Sequence, residues 1–174
     1  MGSQQIKIAF RWLTTFVCGV LIVAADGLPR DASAATEGWG RYRDRDLGMA
    51  FDFPSHIFPL RSAEQGQRRG VVFSTADGRA RIRVFAFVNE DRVTPRQYLA
   101  KVARPDEGRF TYVRTTPRFF VASGTREGMI FYRRCNFRSA DRRVSCLQLD
   151  YPRQEKRAWD RIVTRISLSL AAAN

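Results

Sequence analysis

Few residues in this 174-residue chain have the types and spacing that bond-making chemistry requires. His56 is the only histidine, so a Ser-His-acid relay would have to run through it, yet no G-x-S-x-G turn supplies a nucleophile. It follows Pro54-Ser55 and reads as a loop residue. A zinc centre needs more ligands than one imidazole and two cysteines can offer. Paired carboxylates hydrolyse glycosides, and Asp77, Glu90, Asp91, Asp106, Glu107 and Glu127 are the candidates. Most of them stand beside Gly or Pro in turns, where short acidic side chains serve turn geometry. No phosphate-cradling loop or dinucleotide fingerprint occurs, so the residues call for no cofactor and no metal.

Cys135 and Cys146 are the remaining reactive pair. They fall on two consecutive predicted strands, symmetric about Ala140-Asp141, and so should face each other across a hairpin. With a four-residue loop, Ser139 to Arg142, they occupy a non-hydrogen-bonded site with Cα atoms about 4.5 Å apart; a two-residue loop gives a hydrogen-bonded site about 5.5 Å apart. A disulfide spans either distance. Free core thiols are the alternative. A redox role is disfavoured, because the spacing is not C-x-x-C and no nearby His could activate a thiolate.

The third feature is arginine. The chain carries a net charge of +13 from 30 Lys and Arg against 17 Asp and Glu. Arg153, Arg157, Arg161 and Arg165 recur every four residues, opposite a stripe of Trp159, Ile162, Val163, Ile166 and Leu170. They are expected to form a solvent-facing ridge able to bind an anion, with an ordinary solvated helix face as the plain alternative. Arg133, Arg134, Arg138, Arg142 and Arg143 suggest a second basic cluster at the cysteine hairpin.

The compartment decides which anions matter. Lys7 and Arg11 precede an apolar run from Leu13 to Ala25, and Ala32-Ser33-Ala34 fits a signal peptidase site. Residues 1–34 therefore read as a signal peptide. The run is shorter than the roughly 20 residues of a spanning helix and meets Asp26, Pro29, Arg30 and Asp31 at once, which argues against a retained anchor. Cys18 lies inside the run without a lipobox. A periplasmic or secreted protein is expected, with an acidic envelope protein, anionic lipid or glycan as partner rather than nucleic acid. Residues 35–174 have the size of a single domain.

The elements that position these residues are short. Arg41–Arg43 and Met49–Phe53 form one predicted hairpin, and Val71–Ser74 and Ala80–Phe87 another through Asp77-Gly78. On the latter strand Ile82, Val84 and Ala86 share one face, and Arg81, Arg83, Phe85 and Phe87 the other. Thr94-Pro95-Arg96-Gln97 is a capping box with Pro at the first helical position, opening a helix that Pro105 should end. Phe110–Thr116, Phe119–Ser123, Met129–Phe137 and Arg143–Tyr151 follow as a meander, and a helix over 155–170 closes the chain. This is an α+β arrangement built on an antiparallel sheet with flanking helices.

Several strings in this order resemble the PsbP-like fold. They are Arg41-Tyr42 with Phe51-Asp52-Phe53-Pro54, Val72-Phe73-Ser74 followed by Asp77-Gly78-Arg79-Ala80, Val121-Ala122-Ser123-Gly124 with Phe131-Tyr132, and Leu149-Asp150-Tyr151-Pro152. The resemblance implies an α/β/α sandwich and a non-enzymatic accessory or protein-binding role, as in small exported bacterial proteins of that fold. It carries over no functional residue, and the cysteine pair is not a feature of the fold as a whole. A small envelope hydrolase using the acidic loop residues is the alternative function, and a purely structural protein a third. No residue pattern assigns an oligomeric state.

Overall fold

The computed structural model describes residues 38–63, 69–103 and 108–171. The signal segment and its cleavage site lie outside these residues, as does Pro105. No helix among the described residues is long and apolar enough to cross a membrane.

A two-stranded hairpin, β1 (Trp39–Asp44) and β2 (Met49–Pro54), precedes a seven-stranded antiparallel sheet. That sheet comprises β3 (Leu60–Ala63), β4 (Gly70–Ser74), β5 (Arg81–Val88), β6 (Arg109–Thr115), β7 (Phe119–Arg126), β8 (Met129–Phe137) and β9 (Arg143–Pro152). Their order is β3-β4-β5-β9-β8-β7-β6. The expected strands are present. β3 is an addition: its four residues are all exposed and show no alternation, so its pairing with β4 is what defines it as a strand.

Alternation along the strands sorts side chains onto two faces. On one, Ile82 and Val84 of β5 lie beside Leu149 and Leu147 of β9, and Ile130 of β8 lies beside Tyr151. This face is covered by the β1–β2 hairpin and by α2 (Lys156–Ser169), which a 3₁₀ turn, Arg153–Glu155, leads into. α2 buries Trp159, Val163 and Ile166. Trp159 packs on Phe58 and Tyr151 with ring centroids 5.7 and 5.6 Å apart. The hairpin is tied to the end of α2 by reciprocal backbone bonds between Ala50 and Ala171 and by the Asp52 amide donating to Ser169 Oγ at 2.7 Å.

The opposite face is covered only in part. α1 (Pro95–Val102) starts as expected: the Gln97 amide donates to Thr94 Oγ1, and the Thr94 amide donates to Gln97 Oε1 at 2.8 Å. Tyr98 and Leu99 cluster with Phe85, Phe120, Val144 and the two cysteines. Eight helical residues extend about 12 Å, whereas the ten residues of β9 extend about 33 Å. α1 therefore shelters one end of that face and leaves Arg81, Arg83, Gln148 and Asp150 at the other. The expected antiparallel sheet with flanking helices is present, but two helices, one of them eight residues long, do not make up the full outer layers of the expected α/β/α sandwich.

Cys135 and Cys146 are register partners, joined as a disulfide with Cα atoms 4.1 Å apart. The Arg138 amide donates to the Arg143 carbonyl across the four-residue loop, which selects the non-hydrogen-bonded of the two possible sites. Both cysteines are fully buried beneath α1. Peptide mapping without reductant should find the two peptides linked. Replacing both cysteines with Ala should cost at most about 2–3 kcal/mol in urea unfolding, because the loop they close is short and already held by the hairpin.

Gly124 permits the closest approach in the sheet. A Cβ there would lie 2.1 Å from the Arg109 carbonyl oxygen and 2.5 Å from the Phe131 ring, which itself packs edge-on against Phe110. Gly124→Ala should displace β6 or Phe131 and lower stability by about 1–3 kcal/mol, read as a reduced urea midpoint.

Candidate functional site

The residues that sequence singled out for acid–base work have structural duties. His56 is exposed, and its Nδ1 lies 2.8 Å from the Gly38 carbonyl oxygen, so that nitrogen carries a proton and donates. The neighbouring Ser55 hydroxyl is directed at the same carbonyl rather than at the imidazole. Asp77 accepts from Thr75 Oγ1 at 2.6 Å and from Arg79 Nε at 2.6 Å. These bonds, the one from Thr75 foremost, hold its carboxyl well below the usual range. Tyr151 and Tyr42 are pushed up to about 12, each chiefly by burial, and so are poor bases near neutrality. Glu90 and Asp91 lie beyond the end of β5, and Glu127 occupies the β7–β8 turn at the far end of the sheet. Asp106 and Glu107 lie outside the described residues. Among the described residues no three His, Cys, Asp or Glu side chains are grouped to hold a metal.

Arginine dominates the surfaces that remain. Arg153, Arg157 and Arg161 are exposed, as the helical spacing predicts. Arg165 differs. It is half-buried, with its guanidinium 4.0 Å from the centroid of the Trp39 ring. The reason is helical drift, since residues four apart advance about 40° and the stripe turns roughly 80° from Arg157 to Arg165, with Arg153 standing before the helix in the 3₁₀ turn. Arg153 thus borders a cleft of about 460 Å³ between α2 and the β6–β7 side of the sheet, while Arg165 reaches the β1 side. The local carboxylates are committed elsewhere. Asp160 pairs with Lys156 at 2.8 Å, and Glu155 accepts from Arg79 at 2.5 Å and from the Trp159 indole at 3.1 Å. Among the described residues the side chains of Arg153, Arg157 and Arg161 make no hydrogen bond or ion pair.

The second basic cluster is divided by strand alternation. Arg134 lies on the α2 face, with its guanidinium 4.8 Å from the Phe119 ring centroid. Arg133 lies on the opposite face, where its Nε and Nη2 donate to Gln148 Oε1 at 2.9 and 2.7 Å. Gln148 is 3 % exposed and in turn donates to both oxygens of Asp150 at 3.1 and 3.0 Å, which satisfies a buried amide between charged neighbours. Arg81, Arg83 and Arg126 line the same open half-face, a cleft of about 410 Å³. Arg138, Arg142 and Arg143 sit apart at the tip of the disulfide hairpin. These residues and the α2 ridge do not merge into one patch, because the hairpin tip and the start of α2 are at opposite ends of the strands.

At that tip Arg138 grips Asp141 with two prongs, Nε to Oδ1 at 2.8 Å and Nη2 to Oδ2, and the Arg143 amide donates to Asp141 Oδ1 at 3.2 Å. The bond from Arg138 is the main cause of an Asp141 carboxyl lowered to about 2. A free aspartate titrates near about 3.9. The folded-state value is depressed, so the pairing supports the hairpin above about pH 4 and is lost as pH falls towards 2. A carbon-detected NMR titration should place the Asp141 midpoint near 2, and Arg138→Gln should move it back towards the ordinary value.

No family model matches the chain, and no curated protein matches it. Solved structures do. The solution structure of cyanobacterial PsbP (CyanoP) from Synechocystis sp. PCC 6803 superposes with a TM-score of 0.59 at 11 % identity, over 78 % of this chain and 92 % of that one. A crystal structure from Bacteroides thetaiotaomicron VPI-5482 matches at a TM-score of 0.43 and 14 % identity, over 77 % of this chain and 48 % of that one, too loosely to add weight. Seven antiparallel strands, a separate hairpin and a closing helix against the same face, superposing on nearly the whole of CyanoP, identify this as a PsbP-like fold.

Proposed function

We propose that this protein is an exported, non-enzymatic binding or accessory domain of the cell envelope, and that its partner is acidic. The observation that carries the reading is the ridge of Arg153, Arg157 and Arg161, three exposed guanidiniums whose nearby carboxylates are already engaged by Lys156, Arg79 and Trp159. Unneutralised charge of one sign contributes nothing to the core and generates a field that attracts polyanions. Export is supported by the signal-like first 34 residues and by a fully buried disulfide, which suits an oxidising compartment. The partner is a protein, lipid or glycan surface bearing carboxylates or phosphates, not nucleic acid. The protein needs no cofactor for this role.

Arg157→Gln with Arg161→Gln should leave unfolding free energy within about 0.5 kcal/mol of the parent, because exposed charges without partners stabilise little. The same pair should weaken binding to anionic vesicles or acidic glycan and flatten its dependence on salt. Sedimentation binding at two ionic strengths, with urea unfolding in parallel, reads both. Unchanged binding would mean that the ridge is only a solvated helix face.

A further inference from the structure

The end of the sheet that carries the disulfide hairpin holds a separate cleft of about 380 Å³. Its lining is mixed, with Val93, Pro117 and Phe137 beside Asn89, Thr94 and Ser139, and four arginines, Arg92, Arg138, Arg142 and Arg143, line it too. Arg138 and Arg143 share Asp141, and Arg143 Nη1 also donates to the Asp46 carbonyl at 3.1 Å. Asp91, in the loop that carries Arg92, lies 3.9 Å from Lys101, and Glu90 beside it is exposed without lining the cleft. One carboxylate, Asp141, thus serves two of the four guanidiniums. The side chains of Arg92 and Arg142 have no partner among the described residues.

Those two arginines are also the ones held in left-handed backbone, with φ of 49° and 54°. A single residue ties them together. The Asn89 amide donates to the Arg142 carbonyl at 2.7 Å, and the Arg92 amide donates to the Asn89 carbonyl at 3.1 Å. The Asn89 side chain is clamped on the Val93 amide and carbonyl at 3.0 and 2.9 Å. Glycine would adopt such backbone without penalty, and a side chain there is tolerated only where its surroundings impose it. What arginine adds at both positions is a guanidinium lining the cleft. At the start of α1 the capping box uses the Thr94 and Gln97 amides, and Pro95 has none.

We propose that this cleft binds the phosphate group of a phosphomonoester, with Arg92 and Arg142 on the dianionic head and Phe137 and Val93 beside the organic part of the ester. Guanidinium forks match phosphate oxygens in pairs, and two unpaired guanidiniums suit a dianion better than a lone carboxylate. The site is distinct from the α2 ridge and does not depend on the reading given for it.

Amide NMR at constant ionic strength tests this with three probes: inorganic phosphate, hexyl phosphate and vesicles containing phosphatidic acid. Saturable shifts confined to residues 89–94 and 138–144 are expected, with hexyl phosphate tighter than inorganic phosphate because only the ester can also contact Phe137 and Val93. A response to the vesicles alone would assign the phosphate to a lipid headgroup; a response to hexyl phosphate in solution assigns it to a soluble ester. Arg92→Gln with Arg142→Gln should weaken binding roughly tenfold or more, the loss expected for charge-assisted hydrogen bonds. Arg92→Gly with Arg142→Gly should abolish binding while raising the thermal midpoint, because the backbone strain is relieved. Arg157→Gln with Arg161→Gln should leave hexyl phosphate binding unchanged, so that failure of the ridge and failure of the cleft are separable. Absence of saturable shifts with all three probes, equal affinity in the glutamine variant, or a lowered midpoint in the glycine variant overturns the proposal.

Discussion

The register of β9 between β5 and β8 is the constraint on which the other features rest. Leu147 faces Val84 on one side and Arg134 on the other, and Cys146 likewise faces Phe85 and Cys135. Because side chains alternate strictly along a strand, slipping either pairing by one residue would turn Leu147, Leu149 and Tyr151 away from α2 and bring Gln148 and Asp150 into the apolar layer. Burying those polar groups without their present partners would cost more than the core could offset. The disulfide holds one of the two pairings covalently, at the end where the sheet is covered by the shorter helix.

Two unequal cores follow from that register. The larger joins the sheet to α2 and the β1–β2 hairpin and draws on Phe51, Phe73, Trp159 and Ile166. The smaller lies under α1 and includes the cystine itself. α1 is too short to cover its face, so the far half is left to Arg83, Arg126, Arg133, Gln148 and Asp150. That half is polar but not idle, since Arg133, Gln148 and Asp150 are hydrogen-bonded in series, and Arg83 and Arg126 also have partners. A surface most of whose basic members are engaged with the fold differs physically from the α2 ridge and the hairpin cleft, where Arg153, Arg157, Arg161, Arg92 and Arg142 are left without carboxylates.

The net charge of +13 is therefore distributed by architecture rather than spread evenly. Arg134 and Arg133, on the two faces of the sheet, are used within the protein, over Phe119 and against Gln148. The guanidiniums on the outer side of α2 and at the strand ends point where a partner can reach them. This separation turns a composition that would otherwise indicate general attraction to polyanions into two discrete candidate contacts. It also explains why a cluster that is contiguous along the chain, Arg133 to Arg143, serves three different surfaces.

Local pattern alone determined much of this protein. The Thr94-Pro95-Arg96-Gln97 capping box, the Asp77-Gly78 turn, the placement of Cys135 opposite Cys146 and the apolar stripe from Trp159 to Leu170 each depend on neighbours within one turn or one hairpin. The strand β3 escaped because Leu60–Ala63 has no period of its own and is ordered by β4. The full burial of the cystine, the limited reach of α1, and the turning of Arg165 onto Trp39 were decided only by tertiary structure. So was the placing of Arg92 and Arg142, fifty positions apart and each bonded through its backbone to Asn89, along one cleft. Local chemistry sets how a segment bends and which side chains share its face; which face meets water, and which distant residues stand beside it there, depends on packing between elements that no local pattern encodes.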